Sequence, residues 1–181
     1  MRRKSVTSEM MKGYIVESLF QLLEKKCFTE ITIGEITERA GVNRSTYYRH
    51  FYDKTEIVTY FLNQVMEKMR KTLNRGAELE SYLYAMFVYL KTYRREFLLL
   101  YDNGLDVLCL DTLNHQLGTF QPGENFTIDR YQLAYHVGGI SNFWHLWFSR
   151  HMEDDPAEMA RLSAAIFPPD FKPLLWNKPK S

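Results

Sequence analysis

Residues 32–54 constrain the fold of this chain more than any other stretch, and they read TIGEITERAGVNRSTYYRHFYDK. Thr32 and Glu35 have the capping-box spacing, in which the threonine hydroxyl accepts a backbone N–H and the glutamate reaches back. Gly41 stands where the first helix would end, because glycine adopts a positive φ at little cost. Asn43 is a favoured N-cap for a second helix, which we expect to run to about His50. The stretch therefore predicts two short helices joined by a tight turn.

Apolar residues at helical spacing flank this pair on both sides. They predict a helix over 8–26, preceded by a loose basic arm, and a long helix over 54–73. On the second helix of the pair, we expect Tyr48 and Phe51 to face inward and Tyr47 to project outward.

Helical spacing continues after a break near 74–76, and no stretch has the alternation of a strand. The chain is therefore expected to be all-α, with one domain over 1–75, which includes the start of a linking fourth helix, and another over 76–181. In the second domain the pattern predicts helices over 79–95, 97–117 with an interruption at Asn103 and Gly104, 128–150 and 156–166, a loop over 119–125 and a tail over 168–181.

Charge is distributed unevenly between these two parts. Residues 1–75 hold 14 Lys and Arg against 9 Asp and Glu, a net of +5, and residues 76–181 hold 9 against 13, a net of −4. A basic N-terminal part joined to an acidic part indicates a polyanion binder with a separate regulatory or assembly domain, although such an asymmetry also arises by chance.

The sequence lacks the motifs that identify several classes of protein. Cys27 and Cys109 are far apart in sequence, no two histidines have metal-ligand spacing, and no Walker loop or nucleophile elbow occurs. We therefore expect no metal, no cofactor and no enzymatic activity. The basic N-terminus precedes no apolar signal segment, and no apolar run is long enough to span a bilayer. These features predict a cytoplasmic protein that does not engage a membrane and keeps its thiols reduced.

The segment from about Met11 to Leu62 resembles the DNA-binding domain of the TetR/AcrR family of bacterial regulators. Cys27 departs from the family pattern, because glycine commonly follows the first helix there. The resemblance implies a three-helix helix-turn-helix DNA-binding domain followed by a helical domain for ligand binding and dimerisation. It also implies a homodimer that places one recognition helix per subunit in successive major grooves of a near-palindromic operator. The likeness is carried by Phe28, Ile31, Thr32, Ile33, Ile36, Ala40, Gly41, Val42, Thr46, Tyr47, Tyr48, Phe51, Lys54 and Ile57.

Candidate DNA contacts follow from this resemblance and from the positions of the side chains on the predicted helices. Arg44 could bond guanine O6 and N7 bidentately, while Thr32 and Lys54 stand at helix starts that favour a phosphate. Two of these residues also have an interpretation without DNA contact. Thr32 could serve only as a helix cap, and Arg44 could be a solvated surface residue. The predicted DNA-binding residues are Thr32, Asn43, Arg44, Ser45, Thr46, Tyr47, Arg49, His50 and Lys54.

The domain over 76–181 is expected to supply the interface between subunits and the binding site for an effector. Family members commonly pair two C-terminal helices between subunits, and here the predicted interface residues are Gly138, Gly139, Phe143, Leu146, Trp147, Met159, Leu162 and Ile166. The density of aromatic residues suggests a pocket for an unidentified small apolar or aromatic effector. Its predicted lining is Tyr89, Tyr93, Phe97, Tyr101, His115, Tyr135 and Phe143. Aromatic stripes of this kind also form ordinary helical cores.

Three functions are compatible with these features. The first is a sequence-specific transcriptional regulator, a ligand-responsive repressor that binds a near-palindromic operator as a homodimer. The second is a family member without a small-molecule ligand, a coregulator controlled by a protein partner. The third is a small-molecule enzyme that adopted a helical fold, which the missing catalytic motifs disfavour.

Overall fold

The computed structural model describes residues 2–73, 77–118 and 126–167. In these ranges the regular secondary structure consists of helices, which confirms the predicted all-α class. The helices are α1 Arg2–Leu23, a 3-10 turn Phe28–Glu30, α2 Ile33–Ala40, α3 Arg44–Tyr48, α4 Lys54–Thr72, α5 Leu79–Lys91, α6 Arg94–Asp102, α7 Val107–Gly118, α8 Phe126–Ser149 and α9 Pro156–Ala164.

Two compact units divide the chain, one over Met1–Gln64 and the other over Val65–Ser181. The division falls within α4. The boundary predicted after residue 75 lies among 74–76, outside the described residues, as do the predicted loop over 119–125 and the predicted tail over 168–181.

The N-terminal unit is built around apolar residues of α1, α2 and α4. Ile15, Leu19 and Ile36 are fully buried, and the rings of Phe20 and Phe61 pack edge to face with centroids 4.7 Å apart. Burial of these aliphatic and aromatic groups drives the packing of the unit.

The first helix differs from its prediction at its N-terminal end. It begins at Arg2 rather than near Ser8, because neither proline nor glycine interrupts the first residues. Cys27 after this helix has φ −63°, which any residue adopts, so the family's usual glycine is not needed there.

The C-terminal unit packs α5 against α9, and α8 against both α6 and α7. The stacked rings of Phe97 and Phe148, 5.2 Å apart, join α6 to α8, and Phe87 meets Trp147 edge to face. Gly104, with φ 66°, ends α6 and so confirms the predicted interruption. The helix predicted over 79–95 ends at Lys91, since the chain turns at Thr92 and Tyr93 before α6.

The last described helix begins as its sequence predicts. Asp155 is the N-cap and accepts the amide N–H of Ala157 at 3.0 Å, and Pro156 occupies the first turn. Among the described helices, none combines the length and the hydropathy that crossing a bilayer would require.

Candidate nucleic-acid interface

The start of α2 is held by a complete capping box. Thr32 Oγ1 accepts the amide N–H of Glu35 at 3.2 Å, while the Glu35 carboxylate accepts both the amide N–H and the hydroxyl of Thr32 at 2.9 Å and 2.8 Å. Lys26 donates to the same carboxylate. The bond from Lys26, together with the two from Thr32, lowers the pKa of Glu35 to about 2. The first helix of the pair is therefore fixed at its N-terminal end, as predicted.

The turn between α2 and α3 also confirms its prediction. Gly41 has φ 64° and ψ 29°, the left-handed conformation in which an L side chain would be strained. Asn43 Oδ1 then caps α3 by accepting the amide N–H of Thr46 and the hydroxyl of Ser45, each at 2.7 Å. These bonds fix where the second helix starts.

The second helix is shorter than predicted, and one of its tyrosines faces the opposite way. It covers Arg44–Tyr48 and turns at Arg49 instead of continuing to His50. Tyr47, predicted to touch DNA, is completely buried, whereas Tyr48, predicted to lie in the core, is 58% exposed. The reason is spacing: Tyr47 is one full turn before Phe51, and the two rings pack 6.1 Å apart in the core.

Burial also determines the chemistry of Tyr47. It raises the pKa of the phenol to about 12, and the hydroxyl has no hydrogen-bond partner among the described residues. Tyr47 is therefore a packing residue, and Tyr48 replaces it as the aromatic group available to a partner.

The outer surface of α3 and its C-terminal turn carries Arg44, Ser45, Tyr48 and Arg49, all exposed. Arg49 Nη2 donates to Thr46 Oγ1 at 2.7 Å, which orients the guanidinium along the helix. His50 is half-buried, and burial, followed by the positive charges of Lys12 and Arg49, lowers its pKa. At neutral pH the imidazole is therefore uncharged, so it offers hydrogen bonds but no positive charge to a phosphate.

Lys54, predicted to contact a phosphate, makes its described contacts within the protein. Its Nζ donates to the carbonyl oxygens of Phe28 and Ile31 at 2.7 Å and 2.6 Å and lies 4.7 Å from the centre of the Phe28 ring. Burial is the main reason why the pKa of the Lys54 ammonium is lowered. The ammonium group thus ties the start of α4 to the segment that precedes α2.

Sequence reasoning missed two exposed aromatic residues at this surface. Besides Tyr48, Tyr52 is 85% exposed directly after the helix-turn-helix. The four-residue spacing of Tyr47 and Phe51 could have identified Tyr48 as the outward residue. Tyr52 lies in a short loop, where no periodic pattern assigns a direction.

The predicted pocket residues differ in burial and in the neighbours that they contact. The hydroxyls of Tyr89 and Tyr93 lie 3.4 Å apart. Tyr101 packs on His145, with ring centroids 5.2 Å apart. Phe97 is fully buried, and Tyr135 is 71% exposed. His115 is also exposed, and the half-buried Phe143 lies beside the ring of Phe87 at 6.1 Å.

The predicted interface residues separate into buried and exposed groups. Trp147 and Met159 belong to the core of the C-terminal unit, being 0% and 6% exposed. Leu146, Leu162 and Ile166 are 60%, 41% and 60% exposed. Gly139 is exposed as well, while Gly138 and Phe143 are half-buried. The aromatic residues of α8 lie on several sides of the helix, so periodicity alone could not identify its inner face.

These features define a helix-turn-helix protein, because a capped second helix presents polar, cationic and aromatic side chains on its outer side. Residues 15–60 match the model of the family described as bacterial regulatory proteins, tetR family. An uncharacterised HTH-type transcriptional regulator of Haemophilus influenzae is 28% identical over 86 residues, which make up 43% of this chain and 42% of that relative. The match thus spans less than half of the relative's length. A solved structure of a tetR-family transcriptional regulator from Streptomyces coelicolor superposes with a TM-score of 0.48 at 15% identity, covering 85% of this chain and 79% of that one.

The similarity to the tetR family of bacterial regulatory proteins is thus carried by residues 15–60.

Proposed function

We propose that this protein is a sequence-specific DNA-binding transcriptional regulator, a repressor that acts in the bacterial cytoplasm. The observation that carries the proposal is the exposed outer surface of α3, with Arg44, Ser45, Tyr48 and Arg49 on a helix whose start is fixed by Asn43. In a helix-turn-helix, such residues enter the major groove while the preceding helix crosses the DNA backbone. The revised contact set therefore includes Tyr48 and leaves out Tyr47 and Lys54.

The operator would be near-palindromic, because a two-fold protein dimer matches two-fold DNA symmetry. Homodimer formation is supported by the exposed apolar side chains of Leu146, Leu162 and Ile166. Exposed apolar groups of this kind gain free energy when a second copy removes them from water.

The regulator would respond to a small apolar or aromatic effector that also carries a hydrogen-bond acceptor. Trp144 Nε1 and Ser141 Oγ are buried in the C-terminal unit, and neither has a hydrogen-bond partner among the described residues. Unpaired buried donors are costly, so a ligand that offers an acceptor would bind in part by satisfying them. An effector that prefers one of two conformations then changes operator affinity by its differential affinity for them.

A second candidate is a coregulator controlled by a protein partner. The observation that favours it is the exposure of Tyr131 and Tyr135 on α8, at 76% and 71%, since tyrosine is enriched at protein interfaces. Native mass spectrometry of gently purified protein separates the two. A bound small molecule that Trp144→Phe releases supports the effector, whereas a copurified protein and no small molecule supports the coregulator.

DNA binding is tested by incubating the full chain with fragmented genomic DNA and sequencing the retained fragments. We expect enrichment of a near-palindromic motif. Fluorescence anisotropy should then show tighter binding to that duplex than to a scrambled one. Replacing Ser45, Tyr48 and Arg49 by Ala should abolish the preference. The matched control Lys71→Ala removes an exposed cation outside the N-terminal unit and should keep the preference. A wild-type chain that enriches no motif would refute the proposal.

A further inference from the structure

The guanidinium end of the exposed Arg44, a residue of α3, lies beside the first turn of α2. A Cβ atom placed on Gly34 would lie 3.1 Å from Arg44 Nη2, so the guanidinium lies directly against the first turn of α2. A methyl group at residue 34 would therefore touch the guanidinium, which would have to shift by a few tenths of an ångström to make room for it.

This guanidinium has no internal role that would explain its position. Arg44 is exposed, and no carboxylate or carbonyl among the described residues pairs with it. The nearby carboxylate of Glu35 is occupied by Lys26 and by the amide and hydroxyl of Thr32. The cation on this part of the surface is therefore available to an external anion.

The side of the motif on which the guanidinium lies identifies that anion. When a helix-turn-helix docks, its second helix contacts base edges and its first helix crosses the sugar–phosphate backbone. A guanidinium that lies over the start of the first helix is on the backbone side. Base recognition would instead require Arg44 to extend from α3 into the groove.

We propose that Arg44 binds a backbone phosphate, and that Gly34 is the residue that positions it. This inference rests on the proposed DNA-binding function and changes the role of Arg44 from recognition of guanine to sequence-independent anchoring. Sequence preference then comes from Ser45, Tyr48 and Arg49, which are also exposed on α3 and its C-terminal turn. Phosphate contacts of this kind set the register of the protein on DNA without carrying sequence information.

The test measures the affinity of the full chain for the enriched duplex and for a scrambled duplex over a range of salt concentrations. Arg44→Ala should weaken binding to both by the same factor, about tenfold, and lower the salt slope by about one. Arg44→Lys should keep most of the affinity for both, because a lysine also binds phosphate as a point charge. If Arg44→Ala removes only the preference for the enriched duplex, Arg44 recognises a base and the inference is overturned.

Gly34→Ala gives an independent readout. The added methyl group would make the guanidinium shift by a few tenths of an ångström. We expect this shift to weaken binding to both duplexes, while thermal stability rises because alanine favours a helix. In an Arg44→Ala background the same substitution should leave affinity unchanged, since the group it displaces is gone. Full affinity of Gly34→Ala would overturn the positioning role. A wild-type chain that binds neither duplex would refute the proposed function itself, so the two failures are distinguishable.

Discussion

Tyr47 and Tyr48 are neighbours on α3, yet one is buried and the other is exposed. Tyr47 fills the core with its hydroxyl unpaired among the described residues, and Tyr48 is 58% exposed beside it. Their rings meet edge to face at 5.3 Å, so the buried ring supports the exposed one. The same residue type is thus a packing group at one position and a candidate DNA contact at the next.

Matched substitutions of these two tyrosines separate the roles. Tyr47→Phe removes a buried, unpaired hydroxyl, so we expect the free energy of unfolding to rise by about 1 kcal/mol with DNA affinity unchanged. Tyr48→Phe removes an exposed hydroxyl, so we expect unchanged stability and weaker DNA binding. Urea denaturation and fluorescence anisotropy measure the two quantities. Weaker DNA binding by Tyr47→Phe, or none of the expected loss in Tyr48→Phe, would contradict the assignment.

Individual side chains were the hardest part of the structure to predict from sequence. Thr32, Gly41 and Asn43 were assigned correctly, because capping and turn geometry depend on atoms a few residues apart. The direction of Tyr47 was not, because a five-residue helix is too short for its periodicity to decide between adjacent aromatic residues. The partners of Lys54 come from the distant residues Phe28 and Ile31, so no local pattern indicated them.

At the scale of elements, the helix-turn-helix depends on two polar anchors near its first helix. The Glu35 carboxylate joins Thr32 to Lys26, and the Lys54 ammonium joins α4 to the chain that precedes α2. The position of α2 is thereby fixed by charged groups as well as by the apolar core.

Lys54→Met should reduce stability. The loss of two charge-assisted hydrogen bonds leaves the carbonyl groups of Phe28 and Ile31 without that donor, so we expect a decrease of about 1–3 kcal/mol in the free energy of unfolding. Lys25→Met, which removes an exposed cation just after α1, is the matched control and should be nearly neutral. Urea denaturation measures both. If Lys54→Met instead keeps wild-type stability and flattens the salt dependence of DNA binding, Lys54 binds phosphate after all.

The capping box should make stability depend on pH. The bond from Lys26 and those from Thr32 lower the pKa of Glu35 from 4.5 to about 2 in the folded protein. The folded state therefore holds this proton less tightly than the unfolded state does. Its stabilising contribution is present above the unfolded pKa and is lost as pH falls from about 4.5 toward about 2.

The measurement compares wild type with Glu35→Gln by urea denaturation at pH 7 and at decreasing pH. Wild type should be the more stable at pH 7, and the difference should shrink as the pH falls below the unfolded value. A difference that stays constant through the acid range would mean that Glu35 does not titrate as its contacts predict.

At the scale of the whole molecule, the positions of the helices along the sequence were predicted better than which of their residues are buried. The start of α9 at Asp155 and Pro156 and the break at Gly104 followed from local signals. The burial of Trp147 and Met159 did not, because it depends on the packing of α8 and α9 against other helices of the unit. The proposed homodimer would therefore use the apolar side chains that remain exposed.

These exposed side chains allow a sharp test of the homodimer. Leu146→Glu and Ile166→Glu each place a charge where we expect a second copy to bury an apolar group, so each should convert a dimer into a folded monomer. Val88→Glu, at an apolar position on α5 that is 41% exposed, is the matched control and should remain dimeric. Sedimentation equilibrium at micromolar concentration measures the mass, and circular dichroism verifies the helical fold.

The monomeric variants should also lose affinity for a two-half-site operator, because two recognition helices no longer bind together. A wild-type chain that sediments as a monomer would refute the homodimer, and dimeric Leu146→Glu and Ile166→Glu variants would place the interface elsewhere.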